Sequence, residues 1–305
     1  MAIPVLISVY TRLRHLQNCI ESLAKNDLAS ETDLFVVSDA PKFPHHREAV
    51  ERVRDYIRTV KGFKSVHLFA WDVNKGSSES IRTARMAIFE KFDAQIFMED
   101  DNILSPLYLS FMNKAMNKYK DDAIVFGICG FNFDVPKPDS YPYDAYFMNA
   151  ISANGWGYWK DKYLQFFTYY ELPDFKSKSF KDYKKQLEKP ANNLRRMAKM
   201  GFIWGDTQVT HYLYQKKMVC LFPCISLVQN TGWDGTGEHC GKEEGLMNQS
   251  INDTIPILHF PKKVEIDSKW SEEIKQFFKY PFLGKLKTAL FDFKVKQKNR
   301  FKKWL

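Results

Sequence analysis

Glu99, Asp100 and Asp101 directly follow the run Ala94-Gln95-Ile96-Phe97-Met98. That run is too short for a helix and reads as a buried strand, so the three acids stand at a strand's C-terminal end. In an open α/β sheet this is the end where ligands bind, and carboxylates placed there can hold a divalent cation against a diphosphate. The plainer alternative is a solvated loop after a strand. Ser105 and Pro106 have the residue types of a helix N-cap and first turn, which predicts that the acids occupy a tight strand-to-helix turn.

Three other places carry polar groups in the same context. Tyr10, Thr11 and Arg12 end the first apolar run and put backbone amides and a cation where a helix begins, a site for part of a nucleotide. Asp39 ends the second run. It can accept hydrogen bonds from a base or ribose, or serve as a turn residue before Ala40-Pro41. Asn74, Lys75 and Gly76 close the third, with Arg82 two turns further along and expected to face the same cleft. Four successive strand ends offering polar groups point to one ligand-binding sheet edge, because unrelated loops would not converge there.

The elements that must position these residues are legible as alternating periods. Pro4–Tyr10, Leu34–Val37, Val66–Phe69 and 94–98 read as strands. Between them Leu13, Leu16, Ile20 and Leu23, then Val50, Val53, Ile57 and Val60, then Ile81, Ala84 and Ile88 fall at helical spacing. Strand and helix in alternation predict an α/β fold with a mostly parallel sheet flanked by helices. The second half is less regular. Ile124–Ile128 and Val219–Phe222 read as strands, residues 175–200 as a lysine-rich helical region, 204–214 as a helix, and the aromatic stretch Tyr141–Phe147 as loop.

Composition excludes several classes. A chain of 305 residues can bury a substantial core. It contains no apolar run of the roughly 18 residues that a spanning helix needs, and its start lacks the basic region of a signal peptide, which predicts a cytoplasmic protein. Its five cysteines are scattered and read as reduced thiols. The net charge of +9 is uneven: nine Lys/Arg and one acid lie between Lys279 and Leu305, leaving 36 basic and 35 acidic residues before them. A neutral body argues against nucleic acid as a partner.

The motifs YTR, SDAP, NKG and EDD, in that order after successive strands, resemble the nucleotide-sugar-binding half of GT-A (Rossmann-like) glycosyltransferases. The likeness is to the inverting N-acetylglucosaminyltransferase I type, whose metal motif also reads EDD, and to bacterial family 2 enzymes that decorate surface polysaccharides. The resemblance implies Mn²⁺ or Mg²⁺ on Asp101, contact of Asp100 with the donor sugar or ribose, and support of the turn by Glu99. It implies that Gly155 and Trp156, in Asn154-Gly155-Trp156-Gly157-Tyr158-Trp159, border donor and acceptor, although aromatic residues beside glycines also make ordinary packed corners. It places the catalytic base at Asp206. Inversion at an anomeric carbon needs one carboxylate within reach of the acceptor hydroxyl, while the structural alternative is a helix N-cap. His239, near the end of TGWDGTGEHC, is a metal ligand by the same likeness or a structural histidine.

These expectations amount to a metal-dependent inverting glycosyltransferase of surface polysaccharide synthesis. It takes a nucleotide-diphosphate sugar, UDP-linked by preference, and transfers to a saccharide or lipid-linked glycan acceptor. Residues 1–260 are the catalytic domain, with 1–125 the nucleotide-sugar half and 126–260 the acceptor half. Residues 261–305 are an amphipathic tail in which Leu283, Leu286, Leu290, Phe293, Phe301 and Trp304 recur among lysines. The tail predicts peripheral binding to the anionic inner face of the cell membrane; a helix docked on the body is the alternative. Two rivals differ in chemistry. A sugar nucleotidylyltransferase would carry a glycine-rich phosphate loop where VYTRLRHL has no glycine, and a carbohydrate-binding or scaffold protein would keep the fold without turnover.

Overall fold

The computed structural model describes residues 2–201, 205–237, 250–257 and 259–279. Its first half is β1 (Val5–Val9), α1 (Leu13–Ala24), β2 (Asp33–Ser38), α2 (Arg47–Thr59), β3 (Ser65–Ala70), α3 (Ser77–Phe89) and β4 (Ala94–Glu99). The helices bury the residues that the 3.6 period marks: Leu16, Ile20 and Leu23, then Val50, Val53 and Ile57, then Ala84 and Ile88. The second half runs β5 (Asn102–Leu104), α4 (Tyr108–Tyr119), β6 (Val125–Cys129), β7 (Ala145–Met148), β8 (Trp156–Trp159), α5 (Lys160–Tyr169) and α6 (Lys178–Gln186). It continues with α7 (Glu188–Met200), α8 (Gly205–Lys216), β9 (Val219–Pro223), β10 (Val228–Asn230) and α9 (Ser268–Phe277).

Eight strands form one sheet in the order β3-β2-β1-β4-β8-β6-β9-β7. β1 to β4 are mutually parallel, β8 is inserted antiparallel between β4 and β6, and β7 is an antiparallel edge. Successive residues of β1 enter opposite cores, Leu6 on one face and Val5 and Ile7 on the other. The sheet is therefore covered on both sides, the condition under which parallel strands are found. A mainly parallel sheet flanked by helices is the GT-A arrangement expected from the motifs. Among the described residues, no helix is long and apolar enough to cross a membrane, and Cys19, Cys129, Cys220 and Cys224 are buried and free.

Four details differ from the sequence expectation. The acids do not lead straight into a helix: β5 intervenes, pairs with β10, and α4 begins only at Tyr108. Ser105 instead accepts the Leu107 amide at 3.1 Å and donates to the Asn252 carbonyl at 2.5 Å. The 175–200 helix is two helices, broken at Leu187 because Pro190 lacks the amide that would continue the ladder. Within the stretch read as loop, Ala145–Phe147 opens the edge strand β7. Trp156–Trp159 is a central strand, where the bare Cα of Gly157 admits α4; a Cβ would lie 3.0 Å from Met112 Cε.

Residues 268–278, assigned above to the tail, pack on the body. Trp270 is fully buried and stacks on Tyr146 with ring centres 3.7 Å apart. The amphipathic pattern of 280–305 lies outside the described residues.

Candidate active site

Because β1 and β4 are parallel neighbours, Arg12 and the Glu99–Asp101 turn emerge side by side. The Arg12 guanidinium clamps both aspartates: Nε and Nη2 donate to Asp100, the former at 3.2 Å, and Nη2 also donates to Asp101 Oδ2 at 2.8 Å. Burial opposes the charge on Arg12, but the two carboxylates overcome this and hold its pKa above the usual range. Burial pushes Asp100 up to about 6, an effect the Arg12 hydrogen bonds reduce. Asp101 Oδ1 accepts from Asn102 at 3.1 Å. Beside this cluster a cavity of about 370 Å³ opens at the start of α1, lined by Thr11, Arg12, Arg14, His15 and Arg52 among others. Thr11 and Arg12 thus sit where an anionic ligand would find cations and helix amides.

A second node joins β2 and β3. The Asp39 carboxylate accepts from the Ala40 amide at 2.9 Å, from the Lys75 amide at 3.0 and 3.1 Å, and from Asn74 Nδ2 at 3.1 Å. Of its two sequence readings, the structure displays turn building. Asn74 also bonds the Ala40 carbonyl at 2.6 Å, and the Lys75 ammonium lies 4.6 Å from the Trp71 ring centre. Buried Arg54, unremarked in the sequence, holds the same edge from beneath through the carbonyls of Ser38, Asp39 and Trp71 at 3.3, 3.4 and 2.8 Å. A charged residue directly after the core-facing Val53 of α2 was the available signal.

A third group was also missed. Asn154 Oδ1 accepts from Asn102 at 3.3 Å and from Asn230 at 2.7 Å, drawing the β5, β8 and β10 ends together. Thr231 donates its amide and hydroxyl to the Asp101 carbonyl, both at 2.9 Å, and Gly232 then lies against the Asp101 carboxylate; a Cβ there would be 2.8 Å from Cγ. The glycine-rich loop thus begins on the acidic turn because residue 232 has no side chain. Asp234 adds a contact to α1, its Oδ2 3.2 Å from His15 Nε2. Gly155 sits at φ +63° and passes its carbonyl to the Gly130 amide at 2.7 Å, a conformation that favours glycine.

Asp206 lies in the first turn of α8, where its Oδ1 accepts the Thr207 amide at 2.7 Å and the Thr207 hydroxyl at 3.3 Å. Burial raises its pKa and the Thr207 bonds restrain the rise. The Glu99 carboxyl is pushed up to about 8, first by burial, then by Asp101 and Asp100, with Asp206 adding to the effect. Glu99 keeps part of its surface open, yet protein mass and neighbouring carboxylates surround it. The folded chain therefore brings Glu99 and Asp206, more than 100 positions apart in sequence, close enough for their charges to interact.

Other candidates are placed elsewhere. Trp156 is 5% exposed, with its ring packed on Tyr158 and Phe126, as in a packed corner. Arg82 is exposed and spends its guanidinium on Glu79 at 2.8 and 2.9 Å, one turn back on α3, rather than reaching the acidic turn. Tyr10 stays at the edge but its hydroxyl takes the Lys42 amide at 2.8 Å and lies 2.7 Å from His46 Nδ1, tying down the loop before α2. His239 lies outside the described residues.

Among the described residues, no three His, Cys, Asp or Glu side chains converge as they do around a metal held by protein alone. A magnesium-type site needs fewer protein ligands, since one or two carboxylates suffice when substrate phosphates complete the octahedron. Asp100 and Asp101 supply hard oxygen donors of that kind, held by Arg12.

No protein-family model and no curated protein matches the chain. Among solved structures it is similar to S. aureus TarS, at 14% identity and TM-score 0.43, over 77% of this chain and 37% of that one. It is similar also to TarS 1–349 in complex with UDP, at 14% and 0.42, over 75% and 59%. A third likeness is to the mannosyltransferase PcManGT from Pyrobaculum calidifontis in complex with GDP-Man and Mn²⁺, at 12% and 0.36, over 52% and 45%. The chain spans less than two thirds of the length of each of these.

Proposed function

We propose that this protein is a metal-dependent inverting glycosyltransferase that moves a sugar from a nucleotide diphosphate, UDP by preference, to a saccharide or lipid-linked glycan. The observation that carries the reading is the Arg12–Asp100–Asp101 cluster at the adjacent ends of β1 and β4, with Asp206 among the charges that act on Glu99. Arg12 and the α1 amides bind and orient the diphosphate. Asp101, with Asp100, would hold Mn²⁺ or Mg²⁺, which when bound neutralises charge on the leaving diphosphate. Asp206 takes the proton of the acceptor hydroxyl; its raised pKa makes it a stronger base than a solvated aspartate. The neighbours support the donor class only by what they hold: TarS has been crystallised with UDP-GlcNAc and PcManGT with GDP-Man and Mn²⁺. The basic tail would keep the enzyme on the cytoplasmic membrane face, near a lipid-linked acceptor.

The test is a thermal-shift panel of UDP- and GDP-sugars with and without Mn²⁺ or Mg²⁺, followed by donor turnover. Stabilisation that needs nucleotide and cation together, then metal-dependent release of the nucleoside diphosphate, is expected. Cation-independent binding without turnover would leave a carbohydrate-binding protein instead.

A further inference from the structure

The outer face of the helices that cover α8 is lined with lysines. α6 buries Phe180 and Tyr183, which pack around His211 of α8 with ring centres 6.2 and 5.0 Å away. Its remaining face carries Lys181, Lys184 and Lys185. Across a shallow cavity of about 310 Å³ these meet Lys275 and Lys279 at the end of α9, with Glu188 the one acid lining it. Lys185 and Lys275 pair with Asp182 at 3.1 Å and Glu272 at 3.3 Å. No ion pair to Lys181, Lys184 or Lys279 is found among the described residues. Phe277, between these lysines in sequence, is 39% exposed.

We infer that this α6–α9 face is a membrane-docking surface for anionic phospholipid headgroups, carried by the folded body and distinct from the tail. Two facts choose the occupant. The sequence of 280–305, with eight Lys/Arg against one acid, is not complementary in charge to this face. The face itself, lined by five lysines against one acid, is complementary in charge to an anionic leaflet. Clusters of four to eight lysines bind anionic leaflets, and an exposed phenylalanine beside them suits the interfacial zone better than it suits a soluble polyanion. Since α6 packs on the helix whose first turn carries Asp206, docking through its outer face sets the acceptor half toward the bilayer. The inference goes beyond the proposed function and survives the loss of the tail's role.

The test uses the full chain on vesicles of phosphatidylcholine with or without phosphatidylglycerol. The triple variant Lys181→Gln, Lys184→Gln, Lys185→Gln should bind the anionic vesicles about tenfold more weakly or worse, while the corresponding lysine-to-arginine variant, which keeps the charge, binds as the parent. A second variant, Lys294→Gln, Lys296→Gln, Lys298→Gln, probes the tail alone. Loss in the tail variant only overturns the docking face and leaves the tail reading intact; loss in the helix-face variant only does the reverse. If the helix-face variant keeps vesicle binding but no longer binds heparin, the face serves a polyanionic chain and the bilayer assignment fails.

Discussion

Replacing Gly232 with alanine tests the acidic site without touching an ionisable group. The new Cβ would lie 2.8 Å from Asp101 Cγ, so one of the two must retreat by roughly 1 Å to reach ordinary contact. The backbone is pinned: Gly232 donates to Asn230 Oδ1 at 2.7 Å, and Thr231 is held twice to the Asp101 carbonyl. The carboxylate therefore moves, weakening its 2.8 Å bond to Arg12, a charge-assisted interaction worth about 1.5–3 kcal/mol. The expected loss of stability is about 1–2 kcal/mol, since Arg12 keeps Asp100. Misplacing a reacting-site group by about 1 Å costs on the order of 100-fold in rate, so kcat should fall by that factor while the protein stays folded. Initial rates at saturating donor and metal, with the melting temperature measured alongside, check this. Parental kcat and unchanged metal affinity in the variant would refute the role given to Asp101.

Other outcomes follow from the same geometry. Asp206→Asn should lower kcat by about 10²–10⁴-fold with little change in donor affinity, read from steady-state kinetics and calorimetric titration of the donor. Glu99 has a folded-state pKa of about 8 against an ordinary 4.5, so the native state binds the extra proton and stability falls as pH rises toward 8. Between pH 6.5 and 8, Glu99→Gln should flatten that fall by about 1–2 kcal/mol in urea titrations, the figure being discounted for the open side of the cleft. Below pH 6.5 the buried His211, held down to about 4 by burial, acts oppositely and removes stability as pH falls, which is why the window stops there. Trp270→Ala should cost about 3–5 kcal/mol in denaturant unfolding, because it empties the stack on Tyr146; a small loss would return α9 to the tail.

The first half of the fold was legible because each element is specified by neighbours in sequence. The period of Leu16, Ile20 and Leu23, or of Val50, Val53 and Ile57, depends only on which side of one helix faces the sheet, and four parallel strands follow one after another. The second half interleaves its strands. β8 slips between β4 and β6, and nothing in GWGYW distinguishes a glycine-aromatic loop from a strand whose glycine admits Met112.

The same division runs through the site. Residue type and position at a strand end were enough to single out Arg12, Asp39, Asn74, Lys75 and the three acids, since parallel strands place their C-terminal ends together whatever follows. Pairing across the chain was decided only by tertiary structure. That Arg12 clamps both aspartates, that Asn154 gathers Asn102 and Asn230, and that Gly232 rests on Asp101 are contacts over long sequence separations. Local periodicity carries no information about them, because they depend on strand order and loop closure, which the packing of the whole core determines.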